Sequence, residues 1–419
     1  MESYSTLALK DFFMEYITRA IEPYVKEMTS QFKVILVTGA RQIGKTTMLT
    51  KCLGKNYEYV VLDDINELEQ ARQDPTLFFK SHKLPILIDE VQLAPELFRQ
   101  IKLIVDKEEK KGLVCLTGSQ TFRLIQNAGE SLAGRICIID MAGLSLRELN
   151  GIDFFKPFIP TEQYMEQRSM CLSRYENLWQ KIHRGFMPEL TDQKLNWERY
   201  YRSYIRTYIN RDIRDLIKAS NLITFNNFMI TMAARTGELF NAAGIANDIG
   251  ISLKTVQEWT SMLEGSGIIK LIYPFERNIS KRAIKTPKLY FMDTGLVCNL
   301  VGWSNATVAQ NGAMSGNLFE TFVVSEIIKS HLNAGKDCSN IYFYRDHNRN
   351  EIDLVIEENH VLYPIEIKKS AHPQIEMAKA FTQLQSIPEY TIGHGCILCL
   401  TDTRRELSET VTALPIEFV

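Results

Sequence analysis

"KVILVTGARQIGKTTML", Lys33 to Leu49, reads as a strand, a loop and the start of a helix within seventeen residues. Val34 to Val37 is a short apolar run rich in β-branched residues, and a glycine-bounded loop follows it. The loop fits GxxxxGK[ST], and the candidate phosphate cradle is Gly39, Ala40, Arg41, Gln42, Ile43, Gly44, Lys45, Thr46 and Thr47. Gly39 and Gly44 let the backbone curl so that its N–H groups point inward at phosphate oxygens. Lys45 is placed to neutralise the β- and γ-phosphates, and the Thr46 hydroxyl to hold Mg²⁺. ATP and Mg²⁺ are therefore the expected cofactors.

Downstream, "LPILIDEVQ" is an apolar strand ending in Asp89 and Glu90. Asp89 can reach the Mg²⁺ shell and Glu90 can polarise the attacking water. An acidic pair after a strand often only begins a turn, but here the phosphate loop stands upstream at a suitable separation. A third strand, "GLVCLTGSQ", ends in Ser119 and Gln120. The order of phosphate loop, "LIDE" and "LTGSQ" resembles the AAA+ superfamily. That resemblance implies a γ-phosphate sensor at Ser119. It also implies an arginine finger at Arg135, in "ESLAGRI", acting on a neighbouring subunit and hence a homo-oligomer.

The totals restrict the rest. A chain of 419 residues is too long for one ordinary core. Its 45% hydrophobic and 23% charged residues exclude a disordered chain. No apolar run approaches a membrane span, and no basic flank precedes an apolar segment near the N-terminus, so no membrane association and no secretory signal are expected. Eight scattered cysteines suit a reducing cytosol, the expected compartment. The one close pair, Cys396 and Cys399, has apolar neighbours and reads as a buried strand. A net charge of −2 confines any nucleic-acid surface to a local patch.

Four segments are expected: 1–150, the ATPase domain; 151–220, a helical lid; 221–287, a winged helix-turn-helix; and 288–419, a closing α/β domain. In the lid, Tyr200, Tyr204 and Tyr208 recur every fourth residue and read as a core stripe. Arg206, Arg211 and Arg214 share the segment with Asp212 and Asp215, so phosphate contact and ion pairing are both open for them. "NAAGIANDIGISLKTVQEWTSMLEGSGIIKLIYPF" has the outline helix, turn, helix, hairpin. Its second helix is poor in cations. The strip that follows it carries Arg277, Lys281, Arg282, Lys285 and Lys288 and is the candidate DNA-backbone contact.

"EIDLVIEENHVLYPIEIKK", Glu351 to Lys369, asks for a two-strand reading. If Asn359 and His360 form a two-residue turn, Asp353 falls opposite Glu366. Moving the turn back by one residue leaves both on one face, one step diagonal, and a three-residue turn breaks the arrangement. Lys368 shares the face of Glu366. A half-wet hairpin would show the same alternation, yet two close carboxylates need a cation between them, and a divalent metal is one. The pattern D–x12–E–x–K, with Glu320 on a preceding helix, resembles the restriction-endonuclease-like fold. The resemblance implies Asp353, Glu366 and Lys368 as the catalytic core, with Glu320, Asp353 and Glu366 holding metal. Ile352 stands where that fold usually has proline.

The two ends together resemble predicted AAA+ ATPases of bacteria and archaea that carry an uncharacterised, nuclease-like C-terminal domain. The expected activity is ATP hydrolysis through Lys45, Thr46, Asp89 and Glu90, coupled to DNA binding and cleavage. The rival is a nucleotide-dependent switch whose C-terminal domain binds a partner without cutting. A transcription regulator is disfavoured by the weakly basic second helix.

Overall fold

The computed structural model describes residues 16–118, 132–209, 222–276 and 285–419. Ser119, Arg211, Arg214, Arg277, Lys281 and Arg282, singled out above, lie outside the described residues.

The N-terminal sheet has five parallel strands: β1 (Val34–Thr38), β2 (Glu58–Val61), β3 (Ile86–Asp89), β4 (Val114–Thr117) and β5 (Ile136–Asp140), in the order β2-β3-β4-β1-β5. Both faces of β1 are covered. Val34 and Leu36 join a core with Phe78, Phe98 and Ile101, while Ile35 and Val37 face a second, larger core. Burial on both sides explains why these strands read as continuous apolar runs rather than alternations. β4 lies between β1 and β3, so the phosphate loop, Asp89 and the end of β4 meet at the carboxyl end of the sheet.

The middle of the chain is helical. Tyr200, Tyr201 and Tyr204 of helix Trp197–Tyr204 are buried, as the stripe predicts for the two it names there. Helices Leu222–Ala233, Ala242–Ile249 and Leu253–Gly265 precede an antiparallel hairpin of β6 (Ile269–Ile272) and β7 (Lys288–Phe291), with Ile272 opposite Lys288. The hairpin therefore crosses residue 288, where the sequence reading begins its last segment.

The C-terminal sheet is mixed. It contains β8 (Ile341–Arg345), β9 (Glu351–Glu358), β10 (Val361–Lys368), β11 (Thr391–Ile392), β12 (Gly395–Cys399), β13 (Arg405–Ser408) and β14 (Val411–Pro415), in the order β13-β14-β12-β10-β9-β8 with β11 beside β10. Asn359 and His360, at φ 53° and 62°, form the two-residue turn between β9 and β10. Pairing runs from Val361↔Glu358 to Ile365↔Leu354, and one further step sets Glu366 across from Asp353. Pro364, which has no N–H to give, falls where β10 has finished pairing with β11 and not yet begun with β12. Cys396 and Cys399 are buried in β12 and belong to different cores.

Helix Ser315–Asn333 joins the two sheets. Glu326 Oε2 accepts the Leu146 N–H at 2.7 Å, Lys329 Nζ donates to Leu144 O at 3.0 Å, and Ser330 Oγ accepts the Phe158 N–H at 3.0 Å. The carbonyls of Glu417, Phe418 and Val419 accept from Arg168, Tyr164 and Arg147. The larger core runs without a break from Ile21 to Val419. No helix among the described residues is long and apolar enough to cross a membrane.

Candidate functional site

The phosphate loop bends through positive φ at Gly39 (137°), Gln42 (59°) and Gly44 (87°). A Cβ on Gly39 would lie 2.1 Å from Met141 O, so this glycine is required by space as well as by φ. Gly44 caps helix Lys45–Leu53, whose first N–H groups open into the loop. Lys45 is buried, and Nζ donates to Gly39 O at 3.0 Å and Ala40 O at 2.8 Å. Those two carbonyls fold the ammonium back over the loop instead of letting it extend into water.

Thr46 Oγ1 donates to Asp89 Oδ1 at 2.8 Å. Neighbouring oxygens around an octahedral Mg²⁺, with metal–oxygen bonds of about 2.1 Å, stand roughly 3 Å apart. The pair therefore fits adjacent places in one Mg²⁺ shell. Tyr59 OH donates to the other carboxylate oxygen, Oδ2, at 3.2 Å. Glu90 holds a left-handed backbone (φ 57°, ψ 43°), and its carboxylate accepts from the Gln92 amide.

Three further residues belong to this site, and sequence reasoning missed them. Thr117 closes β4, donates to Asp89 and accepts the Glu90 N–H at 3.3 Å. Its signal was present in "LTGSQ", two residues before the serine favoured above. Tyr200 OH donates to Gln42 Oε1 at 3.1 Å, so a stripe residue read as core also touches the loop. Arg19, 3% exposed, grips the loop from behind: Nη1 donates to Ile43 O at 2.8 Å and Nε to Glu148 Oε1 at 2.9 Å. Glu148 is itself the far half of a capping box with Ser145. Its carboxyl lies below the ordinary range because Arg19 and the Ser145 and Ala20 N–H groups outweigh the burial that would raise it.

Arg135 precedes β5 and sits at the opposite end of the sheet from the phosphate loop, where its carbonyl accepts the Val34 N–H. Its guanidinium is forked onto Asp106. It does not line the phosphate loop of its own chain.

The second cluster forms where β7, β9, β10 and helix Ser315–Asn333 converge. Lys368 Nζ stands 2.5 Å from Glu366 Oε1 and 3.4 Å from Asp353 Oδ2, so the hairpin register does bring this trio together. Asp353 Oδ2 also accepts the Ile367 N–H at 2.8 Å. Two expectations need correction. Lys288, expected on a DNA-facing strip, is 3% exposed and lies inside the cluster, 2.7 Å from Glu351 Oε1, 3.0 Å from Glu320 Oε1 and 3.7 Å from Asp353 Oδ1. Lys285, its exposed neighbour, pairs with Glu276.

The expected metal ligands are the second correction. Glu320 and Asp353 are taken up by the Lys288 ammonium and Glu366 by that of Lys368, and among the described residues no three His, Cys, Asp or Glu side chains are set to hold a metal ion. Burial works against the Lys288 charge, but Tyr290, Glu320, Asp353 and Glu351 outweigh it and hold the amine well above the ordinary lysine value. Burial and the nearby Asp353 push the Glu366 carboxyl up to about 8. Its Oε2 is buried with no hydrogen-bond partner. With Lys288 in place, the residues do not fit a divalent metal.

Residues 31–150 match the family described as AAA domain. Residues 175–307 and 315–419 match two families described as Domain of unknown function (DUF8612) and Domain of unknown function (DUF4143). Uncharacterized proteins of Mycobacterium tuberculosis (Rv2008c) and Mycobacterium bovis (Mb2031c) are each 28% identical over 388 residues, which is 92% of this chain and 80% of theirs. Among solved structures, the Walker-type ATPase PABY2304 of Pyrococcus abyssi is 13% identical at a TM-score of 0.38, covering 67% of this chain and 94% of that one. RuvB of Thermotoga maritima is 14% identical at 0.29, covering 60% and 85%.

Proposed function

Residues 31–150 being a P-loop ATPase domain of the AAA type, with an additional C-terminal domain behind it, we propose that the chain binds and hydrolyses ATP with Mg²⁺ and uses the cycle as a conformational switch. The observation that carries this reading is the 2.8 Å bond between Thr46 and Asp89 beside a loop whose lysine is already folded over its mouth. Bound Mg²⁺ would supply a Lewis acid at the phosphate oxygens. Lys45 offsets phosphate charge, the loop N–H groups orient the chain of phosphates, and Glu90 takes the water proton once the Gln92 amide releases it. Arg135 completes the site of a neighbouring copy in a homo-oligomer, after exchanging Asp106 for phosphate.

The switch reading is preferred over cleavage because a lysine fills the place a nuclease needs for metal. The second reading, a winged helix and nuclease-like domain acting on DNA, is favoured by the convergence of Asp353, Glu366 and Lys368 on one spot.

One set of assays separates them. Lys45→Ala should abolish nucleotide binding. Glu90→Gln should keep binding and slow hydrolysis by about 100-fold or more, the usual scale for losing a general base. Wild type should leave linear, supercoiled and single-stranded DNA intact with Mg²⁺ or Mn²⁺. Cutting that Asp353→Asn abolishes would replace the switch reading with the nuclease one. Undiminished hydrolysis in Lys45→Ala would remove the ATPase assignment itself.

A further inference from the structure

Lys288 reaches the carboxylates from a strand outside their own sheet. β7 pairs with β6, and both ends of that hairpin touch something consequential. At one end Lys288, opposite Ile272, stands among Glu351, Glu320 and Asp353. At the other end Ile269 pairs with Phe291, and the Met292 N–H donates to Ile268 O at 2.9 Å. The residue before Ile268 is Gly267, with φ +71°. A Cβ there would lie 3.4 Å from the Ala40 backbone nitrogen and 3.9 Å from Gly39 Cα, so the hairpin's base lies against the phosphate loop.

A second tie runs through Asp293, two residues past the end of β7. Its carboxylate accepts the Phe186 N–H at 2.7 Å and the Tyr201 hydroxyl at 2.6 Å. The preceding residue of that helix, Tyr200, donates to Gln42 of the loop. The loop and the carboxylate cluster are therefore the two ends of one short hydrogen-bonded element. From Phe291 to Lys288 is about 10 Å at the usual strand rise.

The geometry points to Lys288 as a built-in cation that closes the Glu320–Asp353–Glu366 cluster to divalent metal, and to the β6–β7 hairpin as the lever that withdraws it when nucleotide fills the phosphate loop. The first half concerns the cluster alone. The second half rests on the nucleotide reading above. Charge explains the closure: four acids, Glu320, Glu351, Asp353 and Glu366, are gathered in a largely buried space, where Lys288 offsets the repulsion among the first three as a metal would and Lys368 holds Glu366. A lysine is fixed to the chain, so its occupancy follows the position of β7 rather than the concentration of an ion. Linkage makes the effect reciprocal, since whatever favours withdrawal of Lys288 must also favour nucleotide.

The test counts Mn²⁺ bound to the full chain by electron paramagnetic resonance. Nucleotide-free wild type should bind none at the cluster. Lys288→Met should bind one per chain, lost again when Asp353→Asn is added. If Lys288→Met misfolds, Lys288→Met/Glu320→Gln removes one acid together with the cation, and near-ultraviolet circular dichroism checks its fold. No Mn²⁺ uptake by a folded variant overturns the closure.

With a non-hydrolysable ATP analogue, wild type should bind two Mn²⁺, one with the nucleotide and one at the cluster, and Asp353→Asn only one. Equal counts in the two proteins overturn the lever. Reciprocally, Lys288→Met should bind a fluorescent ATP analogue about tenfold more tightly than wild type, a coupling of about 1.4 kcal/mol. If wild type binds no nucleotide, the phosphate-loop reading and the lever fall together, while the Mn²⁺ count on nucleotide-free Lys288→Met still decides the closure.

Discussion

Replacing Arg19 with methionine would remove a guanidinium that makes four hydrogen bonds in a buried space. Nε donates to Glu148 at 2.9 Å, Nη1 to Ile43 O at 2.8 Å, and Nη2 to Ala142 O and Gly143 O at 2.8 and 3.1 Å. Breaking a buried ion pair from one side typically costs about 3–5 kcal/mol, because the other charge stays buried without its partner. Glu148 keeps the Ala20 and Ser145 N–H groups, so the lower end, about 3 kcal/mol, is expected. That is a large share of a typical total of about 5–15 kcal/mol.

Urea unfolding followed by tryptophan fluorescence reads this directly, and nucleotide titration should show weaker binding because Ile43 is no longer held. Arg19→Met/Glu148→Gln should recover about 2 kcal/mol relative to the sum of the single changes, since the stranded charge is gone. The pH dependence has a definite sign. Glu148 is depressed in the folded protein, so its contribution is present above the ordinary carboxylate range and lost as pH falls through the folded value. The gap between wild type and Arg19→Met should therefore narrow below about pH 4. A double variant no more stable than the sum of its parts predicts would refute the reasoning.

Other outcomes follow from single contacts. Thr117→Val should lower kcat for ATP about tenfold with little change in KM, because it loosens Asp89 and the Glu90 N–H and touches no loop residue that holds nucleotide. Tyr200→Phe should raise KM severalfold through the lost bond to Gln42, worth about 1 kcal/mol. Gly39→Ala should abolish nucleotide binding, which equilibrium dialysis would read, since its Cβ would meet Met141 O. Burial depresses His331 from 6.5 to about 4, so stability present above pH 6.5 should be lost as pH falls toward 4. The loss approaches about 3 kcal/mol, and urea midpoints of wild type and His331→Asn across that window would measure it.

The features legible in the sequence were those written by neighbours. The phosphate loop, the acidic pair after β3 and the turn at Asn359–His360 each depend on a few consecutive residues, and the turn is the two-residue one of the alternatives the sequence left open. What escaped is written across long separations. Arg19 meets Glu148 129 residues away, and no local pattern marks either as a partner. Lys288 misleads for the same reason. It follows Lys281, Arg282 and Lys285 in sequence and so resembles one more surface cation. Its carboxylates arrive from Glu320, Glu351 and Asp353, on a helix and a strand not adjacent to it in sequence. Thr117 escaped more narrowly, since a polar residue was expected at the end of β4 and attention went to Ser119, two residues further on.

Helix Ser315–Asn333 limits how this protein can be taken apart. Excising residues 31–150 as a free ATPase module would leave the Leu146 N–H and Leu144 O without Glu326 and Lys329, and would bare the face of the sheet that Ile35 and Val37 help to build. Recombination between relatives meets the same obstacle. A crossover between the two sheets would deliver a helix whose buried polar groups were matched to a different partner. Exchange should survive only when the segment around residues 144–158 travels with residues 315–333, so inheritance of the two halves is expected to be joint.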